Sequence, residues 1–399
     1  MKIFKDLIDK TKPQFLKGGK YEKWHSVYES FETFLFVPAK VTNKGSHIRD
    51  AIDLKRAMSI VIIALLPALL FGMWNVGSLY YLSIGQADAT LFQSFAYGFL
   101  KVLPLIVVSY GVGLGVEFIF VYIKGHEINE GFLVSGMLIP MIMPIDIPLW
   151  MLAVATAFAV VIGKEVFGGT GMNLLNPALL ARAFLFFAYP SKISGNTIWV
   201  SQLSEKKGIV DGFSGETILG QKINGVFESY NGFVGNKIGT WDMFLGNIPG
   251  SIGETSTLAI LIGAAILLYT GIASFRIMFS VFMGGLIMGS IIYLFGNPEN
   301  ALHQISPIQH LFIGGFAFGA VFMATDPVTG SQTGVGKWIY GFLIGIFAII
   351  IRCLNPAYPE GMMLAILLMN VFAPLIDNVI IQKNIKRRLK RSPIVVSEK

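Results

Sequence analysis

Ten apolar segments recur along this chain, more than a water-soluble core could bury at so low a charge density. They run at about 57 to 74, 95 to 123, 132 to 145, 147 to 163, 177 to 190, 257 to 275, 277 to 295, 308 to 325, 338 to 354 and 361 to 376. Of the 399 residues 54% are hydrophobic and 14% charged, with a mean hydropathy of +0.64. A soluble domain carries about 25% charged residues. In lipid every backbone polar group must be bonded internally, and a helix does this within one segment. The expectation is an all-α polytopic membrane protein of about ten transmembrane helices. The segment 95 to 123 is longer than the roughly 20 residues a span needs, so it must tilt or break.

Charge sets the orientation. Residues 1 to 56 hold twelve Lys or Arg, too long and too polar a stretch for the charged region of a signal peptide. With this end on the cytoplasmic side, the inner loops contain Lys124, Lys164, Arg276 and Lys337, whereas the outer loops 76 to 94, 144 to 147 and 296 to 307 contain no Lys or Arg. That is the bias expected of cytoplasmic loops. The basic run Lys386 to Arg391 then also lies inside, and Arg352 is an exception at an outer end. Basic residues gathered at both termini beside apolar segments suit an anionic leaflet, not a nucleic acid.

The sequence Leu175-Asn176-Pro177-Ala178 returns as Leu354-Asn355-Pro356-Ala357, and Phe132, Met143 and Asp146 recur at nearly the same offset as Phe312, Met323 and Asp326. Each tetrapeptide sits between the fourth and fifth apolar segments of its half. Five spans per repeat force the second copy to enter from the opposite face, giving two inverted five-helix repeats. The division is 1–56, a cytoplasmic extension; 57–190, the first repeat; 191–256, an outer loop; 257–377, the second repeat; and 378–399, a basic tail. Proline removes a backbone donor, so broken helices are expected near both Asn-Pro-Ala turns.

Carboxylates inside apolar segments are functional candidates by default. Glu117 lies within the second segment, Asp326 ends the eighth and Asp377 the tenth. For Glu117 the alternatives are a cation ligand or a structural pair with Lys101 or Lys164. The stretch Gly163 to Ala178 carries four glycines with Asn173 and Asn176, which suit either a flat heterocycle or a close helix-packing corner. The lone Cys353 excludes an intrachain disulfide and a thiolate cluster built by this chain alone. The histidines show no metal-ligand spacing.

In the polar region between the halves, Asp211-Gly212-Phe213-Ser214-Gly215-Glu216-Thr217 reads as a turn with a hydroxyl at its end. It resembles the Asp-x-x-Ser/Thr-Gly-Ala-Thr signature at which a flavin transferase attaches FMN to threonine through a phosphoester; Glu216 stands where that pattern has alanine. Together with Gly18 to Trp24, Gly125 to Gly131, Lys164 to Ala178, Asn247 to Glu254, Met323 to Pro327 and Asn355 to Gly361, the chain resembles the B-subunit family of the sodium-translocating NADH:quinone oxidoreductases over essentially its whole length. The D subunits of Rnf ferredoxin:NAD oxidoreductases are related but lack the Gly18 to Trp24 type of segment.

The resemblance implies a urea-transporter-like ten-span fold, covalent FMN on Thr217, and non-covalent riboflavin near Asn173 and Asn176. It implies ubiquinone near the cytoplasmic extension and sodium uptake or coupling through Glu117, Asp326, Asp377 and Glu29. NADH, FAD and a 2Fe-2S centre would be handled by partners among subunits A, C, D, E and F, in a bacterial inner membrane with both termini cytoplasmic. A channel or transporter for a small polar solute, a redox scaffold, and an Rnf-type subunit are the competing readings. Bound yellow chromophore separates the flavoprotein readings from the others.

Overall fold

A computed structural model describes residues 10–16, 18–21, 28, 42, 44–46, 48, 52–86, 88–124, 131–203, 209–210, 213–225, 230–231, 237–355, 358 and 360–391. Glu29, Glu22 to Trp24, the 125–130 loop, Asp211 and Gly212 lie outside the described residues.

Every one of the ten apolar segments is largely helical, but their lengths differ sharply. Helix α1, Leu54–Ser83, starts at Asp53, whose carboxylate accepts from the Arg56 amide at 3.2 Å. Helix α2, Leu91–Lys124, is continuous through Pro104. Its 34 residues rise about 51 Å against a hydrocarbon core of roughly 30 Å, so extra length rather than a break answers the question its sequence raised. Helix α3, Phe132–Met141, is short, and α4, Leu149–Val160, widens into a π-helical turn at Val161–Glu165. Helix α5 covers Pro177–Ala188.

The region between the halves holds two six-residue helices, α6 at Ile218–Ile223 and α7 at Thr240–Leu245. Between them β1, Tyr230–Asn231, pairs antiparallel with β2, Lys237–Ile238. The second half contains α8, Thr257–Tyr269; α9, Phe275–Phe295; α10, Pro307–Phe312; a π-helical turn at Gly319–Met323; α11, Gly334–Leu354; and α12, Met362–Arg391. Five helices, α1, α2, α9, α11 and α12, are long and apolar enough to cross a membrane. Helices α3, α5 and α8 are apolar but only 10, 12 and 13 residues long. Helices α9 and α11 approach backbone to backbone: a Cβ on Gly345 would lie 2.2 Å from the Val281 carbonyl oxygen. Small residues are what permit such contacts in lipid, where no hydrophobic drive separates helix from acyl chain.

Both halves contain interruptions. Near the first Asn-Pro-Ala turn the π-helical segment ends at Glu165 and helix resumes at Pro177, with the Asn176 side-chain oxygen accepting from the amides of Ala178 at 3.0 Å and Leu179 at 3.3 Å. Near the second, α11 stops at Leu354 and α12 begins at Met362. Two further breaks occur beyond the ends of α3 and α10. The Met141 carbonyl at the end of α3 is taken by the Gly253 amide at 2.7 Å, and past α10 the chain turns through Gly314 and Gly315 at φ +61 and +67. These are left-handed values that favour glycine.

Arg352, the exception in the charge pattern, answers the second of these breaks. Its fully buried guanidinium donates to the carbonyls of His310 at 2.7 Å, Ile313 at 3.0 Å and Gly314 at 3.5 Å, and to that of Glu360 at 3.2 Å. It serves as a plug for carbonyls the broken helix leaves open.

Asp377 does not end its helix, since α12 continues to Arg391. Its carboxylate accepts from the Gln332 amide at 2.7 Å, the Thr333 amide at 3.0 Å, and the hydroxyls of Ser331 at 2.7 Å and Thr333 at 2.6 Å. Four donors at the start of α11 therefore converge on it. Replacing Asp377 by Ala should strip them and destabilise the α11–α12 corner by about 1 to 3 kcal/mol. A thermal-shift measurement in detergent checks this, and an unchanged midpoint would show that water replaces the carboxylate freely.

Candidate functional site

At the end of the bundle where α1 begins, a cavity of about 420 Å³ opens among α1, the start of α3, the glycine-rich stretch before α5 and the α8–α9 turn. Its volume falls in the range of small-molecule and cofactor sites. Asn173, Asn176 and Asp326, three residues singled out in the sequence, all line it, together with Lys164. The two amides are partly engaged already. Asn173 donates to the Leu175 carbonyl at 3.2 Å, while Asn176 caps α5 and donates through Nδ2 to Asp326 at 3.4 Å. Asp326 also accepts from the Val328 amide at 3.0 Å. Most of the remaining wall is apolar, from Ala57, Val61, Val134, Leu138 and Phe322 among others.

Glu117 does not line this cavity. It is buried on α2 in an ion pair and hydrogen bond with Lys164 of the π-helical turn, the structural pairing considered from sequence. The Lys164 ammonium also lies 5.9 Å from the centre of the Phe132 ring. Of the sodium candidates, then, Asp326 faces the cavity, Glu117 is paired with Lys164, Asp377 caps α11, and Glu29 lies outside the described residues.

Thr217 sits at the opposite end. The segment 248–255 that borders it leads into α8, whose far end contributes Leu267 and Thr270 to the cavity. Thr217 is half-buried and is the N-cap of α6, its Oγ1 accepting from the Gly220 amide at 3.2 Å. It borders a hollow of about 130 Å³ flanked by Trp199, Tyr358 and Glu360. The hydroxyl is thus less free than a surface turn suggested, although an ester oxygen would keep a lone pair for the same cap. Glu216 points its carboxylate to the Asn224 amide, a neutral donor on the far side of α6. The segment ahead of Thr217 is held by packing: Gly215 is so close to Leu203 and to the Asn196 carbonyl that a Cβ would fall 2.6 and 3.0 Å from them.

Between the two ends lies a charged network that sequence reasoning missed. Arg182, on α5 and buried, donates to both carboxylate oxygens of Glu254 at 3.0 Å and to the carboxylate of Glu360, which also accepts from the Tyr358 hydroxyl at 3.2 Å. Arg182 lies six residues beyond Asn176, about 9 Å along the axis of α5. Glu360 borders the hollows beside Thr217. The signal was an arginine inside the apolar segment 177 to 190, open to the same reasoning as an intramembrane carboxylate. Among the described residues, no group of three or more His, Cys, Asp or Glu is placed to hold a metal ion.

Residues 41–386 match the model of the NQR2, RnfD, RnfE family. The chain belongs to that family. Curated relatives agree across nearly the full length. It is 46% identical to the B subunit of the Na(+)-translocating NADH-quinone reductase of Chromohalobacter salexigens, over 97% of this chain and 96% of the relative. It is 46% identical to the protein of the same name from Ectopseudomonas mendocina, over 96% and 98%, and from Azotobacter vinelandii, over 98% and 100%.

For this family member the Arg182 network makes a direct prediction. Arg182→Leu would leave the half-buried Glu254 and Glu360 side by side without their cation, and loss of one partner of a buried pair typically costs about 3 to 5 kcal/mol. The yield of folded chain in membranes should collapse. Arg182→Lys should recover it only in part, because one ammonium cannot reproduce a planar fork bonded to two carboxylates. Full recovery with lysine would show that charge alone is needed.

Proposed function

We propose that this chain is the B subunit of a sodium-translocating NADH:quinone oxidoreductase, a bacterial inner-membrane redox subunit that passes electrons towards ubiquinone and couples their flow to sodium export. The observation that carries this reading is 46% identity over nearly the whole of both chains to proteins so named. Five helices long enough to cross a membrane agree with it. The ten-span inverted repeat is the architecture we propose for the body, with both termini cytoplasmic. The cavity would then open on the inner side and Thr217 would lie on the outer. The partners are subunits A, C, D, E and F, which handle NADH, FAD and the 2Fe-2S centre, together with ubiquinone, sodium and a flavin transferase.

Thr217 is the proposed covalent FMN site, its Oγ1 becoming the ester oxygen, with Trp199 and Tyr358 flanking the adjoining hollow. The cavity bordered by Asn173 and Asn176 is the proposed riboflavin site. Its largely apolar wall and few polar groups suit a flat heterocycle. Flavins supply the electron-carrying chemistry when bound; the chain positions them and sets their surroundings. Arg182, Glu254 and Glu360 fix α5 against the segments around Thr217, holding the two sites at a constant separation. Asp326 is the candidate sodium ligand that meets open space, and an oxygen donor suits a hard cation.

The subunit taken from the complex and denatured should fluoresce in gel after expression with its flavin transferase, and Thr217→Ala should darken it. Fluorescence that survives the change would place the attachment elsewhere. Glu216→Ala, which restores alanine next to the acceptor, should leave labelling equal or higher. Weaker labelling would mean that the Glu216–Asn224 contact shapes the acceptor turn.

A further inference from the structure

Lys164 lines the large cavity, whereas Glu117, its buried partner, does not. Of the pair, Lys164 is therefore the member that borders the cavity, with Glu117 behind it. Asp326 is a second ionisable wall residue, bonded to neutral groups that include the Asn176 amide and the Val328 backbone. We propose that Lys164 and Asp326 bias in opposite directions the redox poise of the isoalloxazine ring held in this cavity: Lys164 favours the reduced ring and Asp326 the oxidised one. The proposal rests on the reading of the cavity as a flavin site.

The reasoning is electrostatic. Each electron the ring accepts from the NADH-linked carriers of the complex adds one negative charge unless a proton follows, and that charge leaves with the electron to the next acceptor. Neither side chain forms a bond to the ring or exchanges a proton with it. A wall charge acts only by interacting differently with the two charge states. Interiors screen poorly, so one unit charge several ångströms away at an effective dielectric constant of about 20 changes the ratio of reduced to oxidised ring by roughly tenfold or more. Glu117 holds the ammonium in place through their ion pair and is a positioning residue for it. A purely structural role, tying α2 to the π-helical turn, predicts no such signed effect.

The test uses the assembled complex carrying Thr217→Ala, so that this subunit has no covalent flavin. Val134→Trp fills the cavity, and the difference between complexes with and without it isolates the flavin bound there. Spectroelectrochemical titration of that difference in sodium-free buffer should give a reduced-to-oxidised ratio, at fixed potential, about threefold lower in the neutral pair Glu117→Gln/Lys164→Gln, because the opposing charge of Glu117 leaves with the ammonium. In Asp326→Asn, which keeps a hydrogen-bond acceptor and loses one unit charge, the ratio should be higher by about tenfold. Neither change leaves one half of an ion pair behind. Glu117→Gln alone should also raise the ratio; if that chain fails to assemble, the neutral pair and Asp326→Asn decide. Shifts of the same sign, or changes below about twofold in both, would overturn the electrostatic assignment while leaving the flavin site standing. Non-covalent flavin retained in full after Val134→Trp would overturn the site itself, and the assignment with it.

Discussion

A helix broken inside an apolar body must find partners for the backbone groups it exposes, and this requirement shapes the structure more than any other. In lipid no water is at hand, and each unpaired group costs several kcal/mol. The break beyond α3 is answered by an amide from the segment before α8, and the break beyond α10 by Arg352, whose guanidinium gathers four carbonyls. Each answer comes from a different part of the chain. The short helices therefore cannot form independently, and their breaks tie the 247–255 segment and the end of α11 into the core.

Charge follows the same logic. Arg182 bridges Glu254 and Glu360, drawing together α5, the approach to α8 and the turn before α12. Lys164 and Glu117 join α2 to the π-helical turn. Such pairs are weak evidence for stability, because their mutual attraction is set against large desolvation penalties. What they provide is registry: each fixes one segment against another by directional bonds. In both halves a stretch of π-helix, Val161–Glu165 and Gly319–Met323, adjoins the region of the large cavity. Such widened turns recur at functional sites.

The two candidate sites lie at opposite ends of α8, and α5 spans between them, beginning at the cavity with Asn176 and meeting the Thr217 side through Arg182. The proposed flavin positions and the bundle's charge network are thus parts of one packed unit. The carboxylates divide by what they touch. Glu117 and Asp377 are committed to a cation and to a helix start respectively, whereas Asp326 shares the cavity wall with Lys164.

The membrane character, the apolar segments and the acceptor threonine as a candidate were all legible in the sequence, because hydropathy, spacing and a short motif are local properties. So was the pairing of Glu117 with Lys164 as one of two options: a buried carboxylate must meet either a cation or a basic side chain. Sequence could not choose between them, since the two residues are 47 positions apart and meet only when α2 packs against the turn after α4. It placed Asp377 at the end of an apolar segment because hydropathy falls there, and the backbone runs on as helix to Arg391, for lysine and arginine are good helix formers once they leave lipid. It treated ten apolar segments alike, whereas tertiary packing decided that five are long helices and that others stop short. An apolar run shows that a segment is buried. How far it stays helical depends on whether distant amides, carbonyls and guanidinium groups are at hand to close the break, and that only the folded chain determines.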